Sequence, residues 1–252
     1  MSVVLQRPEP LGPAVYTDGR YPDLFRPEDR RNSLRHLYAA KRRDIVEIAG
    51  SRPGRVLDLG GGPGRIAVPL ARDHAVTLAD ISEEMLGRAR AVAAASGVEP
   101  AALTLVQLDA RDPLPFETGS FETAIAADLL VHLPDPTAAL REMRRVLAPG
   151  GRAIVDTSNR HPQWMLRYPG YAGRRPGRWL RTWRGGGVLP EWRGIVTHHS
   201  RGEFRRMIAD AGLRLVEERA YGPRPVPTWM LAVCERPRAD GTPGPRATRE
   251  TT

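Results

Sequence analysis

The sequence predicts an α/β fold built on a doubly wound, mostly parallel sheet, and three observations predict it. From Arg55 to Thr157, short apolar runs of strand length alternate with stretches of helical periodicity five times over, as parallel strands joined by crossover helices require. The first run, Val56 to Leu59, passes directly into Gly60-Gly61-Gly62-Pro63-Gly64, a tight turn where backbone can approach a ligand without a Cβ in the way. With 252 residues and 41% hydrophobic content, the chain can bury one sizeable core and a small appended lid, whereas two independent domains would be cramped.

The lone cysteine, Cys234, excludes an internal disulfide and leaves no second thiol for a zinc cluster, which fits a reducing cytoplasm. Its place in the last expected strand reads as core. Residues 1–12 lack a basic start followed by an apolar run, and no stretch approaches the roughly 18 apolar residues of a spanning helix. A soluble, cytoplasmic protein is expected. A net charge of +9 and a pI near 10.6 would ordinarily point to a polyanionic partner. Yet Lys41 is the single lysine, and the abundance of Arg, Ala, Gly and Pro is the residue usage of a high-GC genome, which weakens the case for nucleic acid.

Taken in order, Pro8, Pro10, Pro13, Pro22 and Pro27 forbid a long helix at the start and predict an extended arm anchored by Tyr16, Tyr21 and Phe25. Tyr16 and Tyr21 are also candidates for substrate contact. From about Glu28 to Ala49, apolar residues at Leu34, Leu37, Tyr38, Ile45, Ile48 and Ala49 follow helical spacing, and Gly50 closes that helix. Residues 1–49 therefore read as an arm with a cap helix. After the glycine turn, Arg65 to Asp73 reads as a helix that Pro69 would kink or shorten, its positive dipole end facing the turn. Ala75 to Ala79 is a second strand that ends at Asp80. A carboxylate about 20 residues past a glycine turn suits a ribose diol, because it accepts two hydroxyl protons at once. The competing role, capping the next helix, already falls to Ser82 with Glu83 and Glu84.

Glu83 to Ser96 is an alanine-rich helix stopped by Gly97. Leu103 to Leu108 is a third strand with Asp109 at its end, and Phe121 to Ala127 a fourth that leads into Asp128-Leu129-Leu130-Val131-His132. Thr137 to Leu147 is a helix with Leu140, Met143 and Leu147 on one face. Pro149-Gly150-Gly151 then turns into a fifth strand, Arg152 to Thr157. Beyond residue 200, Arg201 to Ala211 reads as a helix, and Leu213 to Arg219 and Thr228 to Glu235 as two more strands. Residues 237–252, rich in Pro, Gly, Thr and Arg, read as a disordered tail.

The spacing Gly60-x-Gly62-x-Gly64 differs from the Gly-x-Gly-x-x-Gly of dinucleotide sites. With Asp58 just ahead of it, this stretch resembles motif I of class I S-adenosylmethionine (SAM)-dependent methyltransferases. Leu108 to Phe116 and Leu140 to Gly151 are similar to the family's sequence too, and Asp128 to Pro136 looks like its motif IV. The likeness is to the small-molecule kind, similar to ubiquinone and menaquinone methyltransferases and to natural-product enzymes of actinobacterial style. It covers residues 50–157 by motif and 200–235 by pattern.

The resemblance implies a Rossmann-like, doubly wound seven-stranded sheet, mostly parallel with an antiparallel last strand, plus an inserted lid. Residues 50–158 would be the SAM-binding core, and 200–236 the helix and strand pair that complete it. SAM would be the cofactor and S-adenosylhomocysteine (SAH) the product. Asp58, Gly60, Gly61, Gly62 and Gly64 would wrap the methionine end, and Asp80 the ribose. Ile81 and Met85 would face the adenine, with Asp109 accepting its amino group and the amide of Ala110 bonding the ring. Asp128 and Leu129 would approach the transferable methyl.

A nucleic-acid substrate is disfavoured on the same footing. The Asn/Asp-Pro-Pro-aromatic motif of amino-group enzymes is replaced by Ala-Asp-Leu-Leu, one lysine cannot supply a Lys-Asp-Lys-Glu set, and Cys234 is out of place for a nucleophile.

Residues 159–199 depart from the generic plan. They hold Trp164, Trp179, Trp183 and Trp192 with Tyr168 and Tyr171, and eight arginines against the single acid Glu191. An insertion after the fifth strand is expected to overhang the site as a substrate lid. There Trp164, Tyr168, Trp179 and Trp183 would stack on a planar or anionic acceptor. A membrane-surface patch, an RNA contact or a dimer contact are the competing readings. His132 is a candidate general base, or a structural residue that orients the turn after the fourth strand. His198 and His199 are alternative bases; an adjacent pair without further ligands makes a poor metal site, and no metal is expected. The acceptor is a small molecule methylated on O, N or C, and the protein a monomer or homodimer. Competing classes are an RNA or nucleoside methyltransferase, a non-catalytic SAM-binding protein and a nicotinamide-dependent oxidoreductase.

Overall fold

The computed structural model describes residues 34–159, 197–222 and 227–238. The arm residues Tyr16 and Tyr21, most of the expected lid with Trp164, Tyr168, Trp179 and Trp183, and the tail lie outside the described residues.

Helix α1, Arg35–Gly50, buries Lys41, Ile45, Ile48 and Ala49, a stripe at helical spacing. The start expected at Glu28 falls outside the described residues. Strand β1, Arg55–Leu59, runs into the glycine turn. The helix after the turn, α2, is only Ala67–Leu70, shorter than the expected Arg65 to Asp73. Pro69 has no N–H to give the Arg65 carbonyl, which interrupts the ladder between the bonds from Val68 to Gly64 and from Leu70 to Ile66.

Strand β2, Ala75–Asp80, leads into α3, Glu83–Ala95, whose Ser82 side chain accepts the Met85 N–H and whose first turn carries Glu83 and Glu84. Strands β3, Leu103–Gln107, and β4, Phe121–Ala126, follow. Helix α4, Pro136–Val146, has Asp135 as its N-cap and Pro136 at its first position, and buries Ala139, Leu140, Met143 and Val146.

Strand β5, Leu147–Ser158, starts five residues before the expected Arg152. The Pro149-Gly150-Gly151 segment pairs instead of turning away: Gly150 N–H donates to the Arg236 carbonyl, and Arg236 N–H to that of Gly151, both at 2.9 Å. Helix α5, Arg201–Asp210, opens with a capping box between Ser200 and Glu203, and β6, Arg214–Tyr221, and β7, Trp229–Glu235, complete the chain.

The seven strands form one sheet in the order β3-β2-β1-β4-β5-β7-β6. Pairing is parallel from β3 through β5, and β7 runs antiparallel to both β5 and β6. The expected mostly parallel sheet with an antiparallel last strand is the one observed. Strand alternation divides the core in two. Val56, Trp229, Leu231 and Val233 pack toward α1, α2 and α3, while Leu57, Met230, Ala232 and Cys234 pack toward α4 and α5. The sheet order reverses between β1 and β4, so a crevice opens beyond the carboxyl ends of those strands. Among the described residues no helix is long and apolar enough to cross a membrane.

Candidate functional site

A cavity lies at that crevice, lined by the loops after β1, β2, β3 and β4 and roofed by Tyr38, Lys41 and Arg42 of α1. Its floor is the glycine turn. The Gly60 and Gly61 N–H groups donate to the Ala79 carbonyl at 2.7 and 3.3 Å, tying the turn to β2. A Cβ on Gly60, at φ +70°, would stand 2.9 Å from Leu129, and one on Gly61 would stand 2.7 Å from Asp58 Oδ2. Over Gly62 there is open space, so the turn is closed to side chains on its protein face and open on its cavity face. Gly64 does not line the cavity; a Cβ there would meet Val68 at 2.9 Å, which makes it the packing contact between the turn and α2.

Asp80, at the end of β2, fixes the turn from the side. Its Oδ2 accepts the Gly62 N–H at 2.8 Å and its Oδ1 the Ser82 N–H at 2.9 Å. Burial raises its pKa, while the Ser82, Gly62 and Ile81 amides work in the other direction. With three amide donors on two oxygens, the carboxylate keeps lone-pair capacity for a ligand hydroxyl. Asp58 sits behind the turn and is almost fully buried. Burial pushes its pKa up to about 7, against the Ala67 amide and with the help of the Asp80 charge. Its Oδ2 has no hydrogen-bond partner among the described residues.

Ile81, Met85, Asp109 and Ala110 line the next part of the cavity. Asp109 is engaged by Arg111, whose Nε lies 2.9 Å from both carboxylate oxygens, and this pairing holds its pKa below the ordinary value. An adenine amino group at this carboxylate would therefore share it with a guanidinium. That competition follows from a loop contact two residues away.

At the end of β4 the chain passes through Asp128 at φ +55°, the one positive-φ residue other than glycine among those described. Its N–H donates to Asp156 Oδ1 at 2.6 Å, and its Oδ1 accepts from the Lys41 ammonium at 2.5 Å; Lys41 also donates to Asp156. Burial works against the Lys41 charge, but Asp128 and Asp156 outweigh it, so its pKa is raised and the ammonium is kept. Burial raises the Asp156 pKa, with Lys41 opposing and Asp128 reinforcing the shift. Leu129 and His132 follow on the same wall of the cavity, His132 closing a short 3-10 turn, Leu130–His132.

The structure thus brings Asp58, Gly60, Gly61, Gly62, Asp80, Ile81, Met85, Asp109, Ala110, Asp128, Leu129 and His132 to one cavity. It does not bring His198 or His199 there. Both are buried, with Nδ1 of His199 2.8 Å from Thr157 Oγ1 and that of His198 hydrogen-bonded to Ser158 Oγ. Their place beside the end of β5 is set by these hydroxyls and by the bridge from Asn159 to His199. Sequence reasoning missed Tyr38, Lys41, Arg42, Arg65 and Arg111 on the lining and Asp156 beneath it. One signal was present, since Lys41 is the single lysine in a chain whose 38 basic residues are otherwise all arginine. No cluster of His, Cys, Asp and Glu fit for a metal ion occurs among the described residues.

Residues 56–151 match the protein family described as "Methyltransferase domain". Ubiquinone biosynthesis O-methyltransferase of Xanthomonas euvesicatoria pv. vesicatoria (strain 85-10) is 37% identical over 134 residues, 52% of each chain. Phosphatidylethanolamine N-methyltransferase of Cereibacter sphaeroides is 39% identical over 115 residues, 45% of this chain and 55% of its own. The chain spans about half the length of the curated relatives it matches. Among solved structures, magnesium protoporphyrin IX methyltransferase of Synechocystis PCC 6803, with bound SAH, superposes with a TM-score of 0.59. That alignment covers 81% of this chain and 85% of the other at 19% identity, a likeness of fold.

Proposed function

We propose, from the premise that this chain belongs to the class I SAM-dependent methyltransferases, that it binds SAM in the cavity at the β1–β4 crevice and methylates a small-molecule acceptor. The observation that carries the reading is the glycine turn clamped by Asp80: an open backbone surface over Gly62, with a carboxylate at its rim that retains free lone pairs. The buried Oδ2 of Asp58, without a partner among the described residues, adds a polar atom behind the turn.

In this reading Gly60, Gly61 and Gly62 face the methionine end, Asp80 the ribose, Ile81, Met85, Asp109 and Ala110 the adenine, and Asp128 and Leu129 the reacting end. Bound there, SAM supplies a methyl group on a sulfonium, an electrophile that is already activated. The chain's own contribution is then alignment and exclusion of water, which supplies up to roughly 7 to 11 kcal/mol. A base adds about 10² to 10⁴-fold where the acceptor must lose a proton, and His132, which lines the cavity, is the candidate for that role.

The acceptor is a natural product or quinone-like compound, methylated on O, N or C in secondary metabolism in the cytoplasm. Two relatives whose names specify O- and N-methylation leave the choice of atom to the residues over the site. Residues 1–49 serve as arm and cap, 159–199 as lid, and 200–236 complete the core.

The test is thermal unfolding with SAM, SAH and NADH titrated in turn, followed by transfer of a labelled methyl group from SAM to a panel of phenols, amines and quinols. Concentration-dependent stabilisation by SAM and SAH but not NADH is expected. Stabilisation by NADH alone would replace the reading with a nicotinamide enzyme. Binding without transfer to any acceptor would leave a SAM-binding protein.

A further inference from the structure

Three side chains from distant parts of the chain meet at the edge of the cavity, Lys41 and Asp128 on its lining and Asp156 behind them. Lys41 donates to Asp128 Oδ1 at 2.5 Å and to Asp156, and its ammonium lies 5.5 and 5.3 Å from the ring centroids of Tyr38 and Trp229. Asp156 accepts the Asp128 N–H through its other oxygen. Among the described residues two carboxylates therefore share one ammonium, and one negative charge is left over. Lys41 and Asp156 are 3% and 0% exposed as side chains and Asp128 is 29% exposed, so the surplus charge reaches the cavity through Asp128. Asp58, whose buried Oδ2 has no partner among the described residues, stands behind the turn at the same cavity. Carboxylates withdrawn from water without full pairing are costly to keep ionised, and a cationic group on a ligand completes such an arrangement.

We propose that Lys41, Asp128 and Asp156 read the charge on the cofactor, favouring the sulfonium of the methyl donor over the neutral thioether of the product. The inference rests on the cofactor assignment above. Transfer converts a positively charged sulfur into a neutral one, so a cluster carrying one net negative charge loses attraction for its ligand at the moment of reaction. A simple Lys–Asp pair would be neutral and indifferent to that change. Asp128 presents the charge; Lys41 and Asp156 are positioning residues that fix its backbone and hold the net charge at one. Unit charges about 6 Å apart, at effective dielectric constants between surface and bulk water values, predict a preference of roughly 3- to 100-fold. The methionine ammonium is the other cation this cluster could meet, but it is present in donor and product alike.

The experiment is calorimetric titration of the full chain and of Asp128→Asn with SAM and with SAH, folding being checked by circular dichroism. Asn keeps the size and the acceptor oxygen for Lys41 while removing the charge. The expected result is that SAM binds roughly 3- to 100-fold more weakly to the variant while SAH changes by less than about threefold. Asp156→Asn should move the ratio the same way and serves if the first variant does not fold. Lys41→Met, which leaves both carboxylates uncompensated, should move it the other way. Equal weakening of both ligands would assign the cluster to the ammonium and overturn the proposal, as would an unchanged ratio. If neither ligand binds the unmodified chain, the cofactor assignment itself fails and takes this inference with it.

Discussion

Raising the pH from 4 to 8 should destabilise the ligand-free protein through Asp58, and Asp58→Asn should remove that loss. Burial lifts this carboxyl from an ordinary value of 3.8 to about 7, with Asp80 adding repulsion and the Ala67 amide opposing. A folded value above the unfolded one means that the folded state holds the proton more tightly. The stability this lends is complete below about pH 3.8, declines as pH rises toward 7, and is gone above it. Between 3.8 and 7 lie about 3 pH units, and at 1.36 kcal/mol for each the effect is about 4 kcal/mol. That is a large part of the roughly 5 to 15 kcal/mol that hold a domain together.

The assay is urea unfolding of the protein and of Asp58→Asn across this range, with the slope on urea checked for constancy. Other carboxyls titrate too: Asp80 and Asp156 are shifted upward, Asp109 and Glu142 downward. The informative quantity is therefore the difference between the two proteins. It should move by about 4 kcal/mol in favour of the variant from pH 4 to pH 8. Curves that stay parallel within about 1 kcal/mol would refute the reasoning, because Asp58 would then be ionised at no cost.

Gly61→Ala places a Cβ 2.7 Å from Asp58 Oδ2 and 2.9 Å from Leu78 Cγ, and an overpacking loss of about 1 to 3 kcal/mol should appear in urea unfolding together with weaker SAM binding. Asp80→Ala removes both bonds that hold Gly62 and Ser82, so calorimetry should detect little SAM binding; unchanged affinity would remove the ribose assignment. His132→Ala should lower turnover by about 10² to 10⁴-fold if the imidazole takes the acceptor's proton, and full turnover would make it structural. Ser200→Ala breaks the capping box with Glu203 at the start of α5 and should cost about 0.5 to 2 kcal/mol without changing affinity for SAM.

What the sequence disclosed and what it hid divide by the range of the interactions involved. The glycine turn, Asp80 and the Ser82 cap are local: each follows from a handful of consecutive residues, and they recur in the structure within a residue or two of where spacing puts them. The parallel pairing of the first five strands was legible for a related reason, since crossover helices permit few alternatives, while the antiparallel last strand was legible only through the family resemblance. The start of β5 was not legible, because Pro149-Gly150-Gly151 has the local signature of a turn and is drawn into the sheet by Arg236, some 85 residues on.

Lys41, Asp128 and Asp156 show the limit most clearly. Their separations of 87 and 115 residues leave no periodic trace, and a lysine on an otherwise apolar helix face reads as a flaw in the pattern. Of its neighbours Asp128 was visible as a motif residue, whereas Asp156 was passed over inside the fifth strand. The physical reason for their union lies in the sheet. β4 and β5 are parallel neighbours with Ala126 beside Val155, so the residues that follow, Asp128 and Asp156, emerge together at the carboxyl edge where α1 crosses. Two carboxylates forced side by side at a buried edge need a cation, and the one lysine is where the helix supplies it.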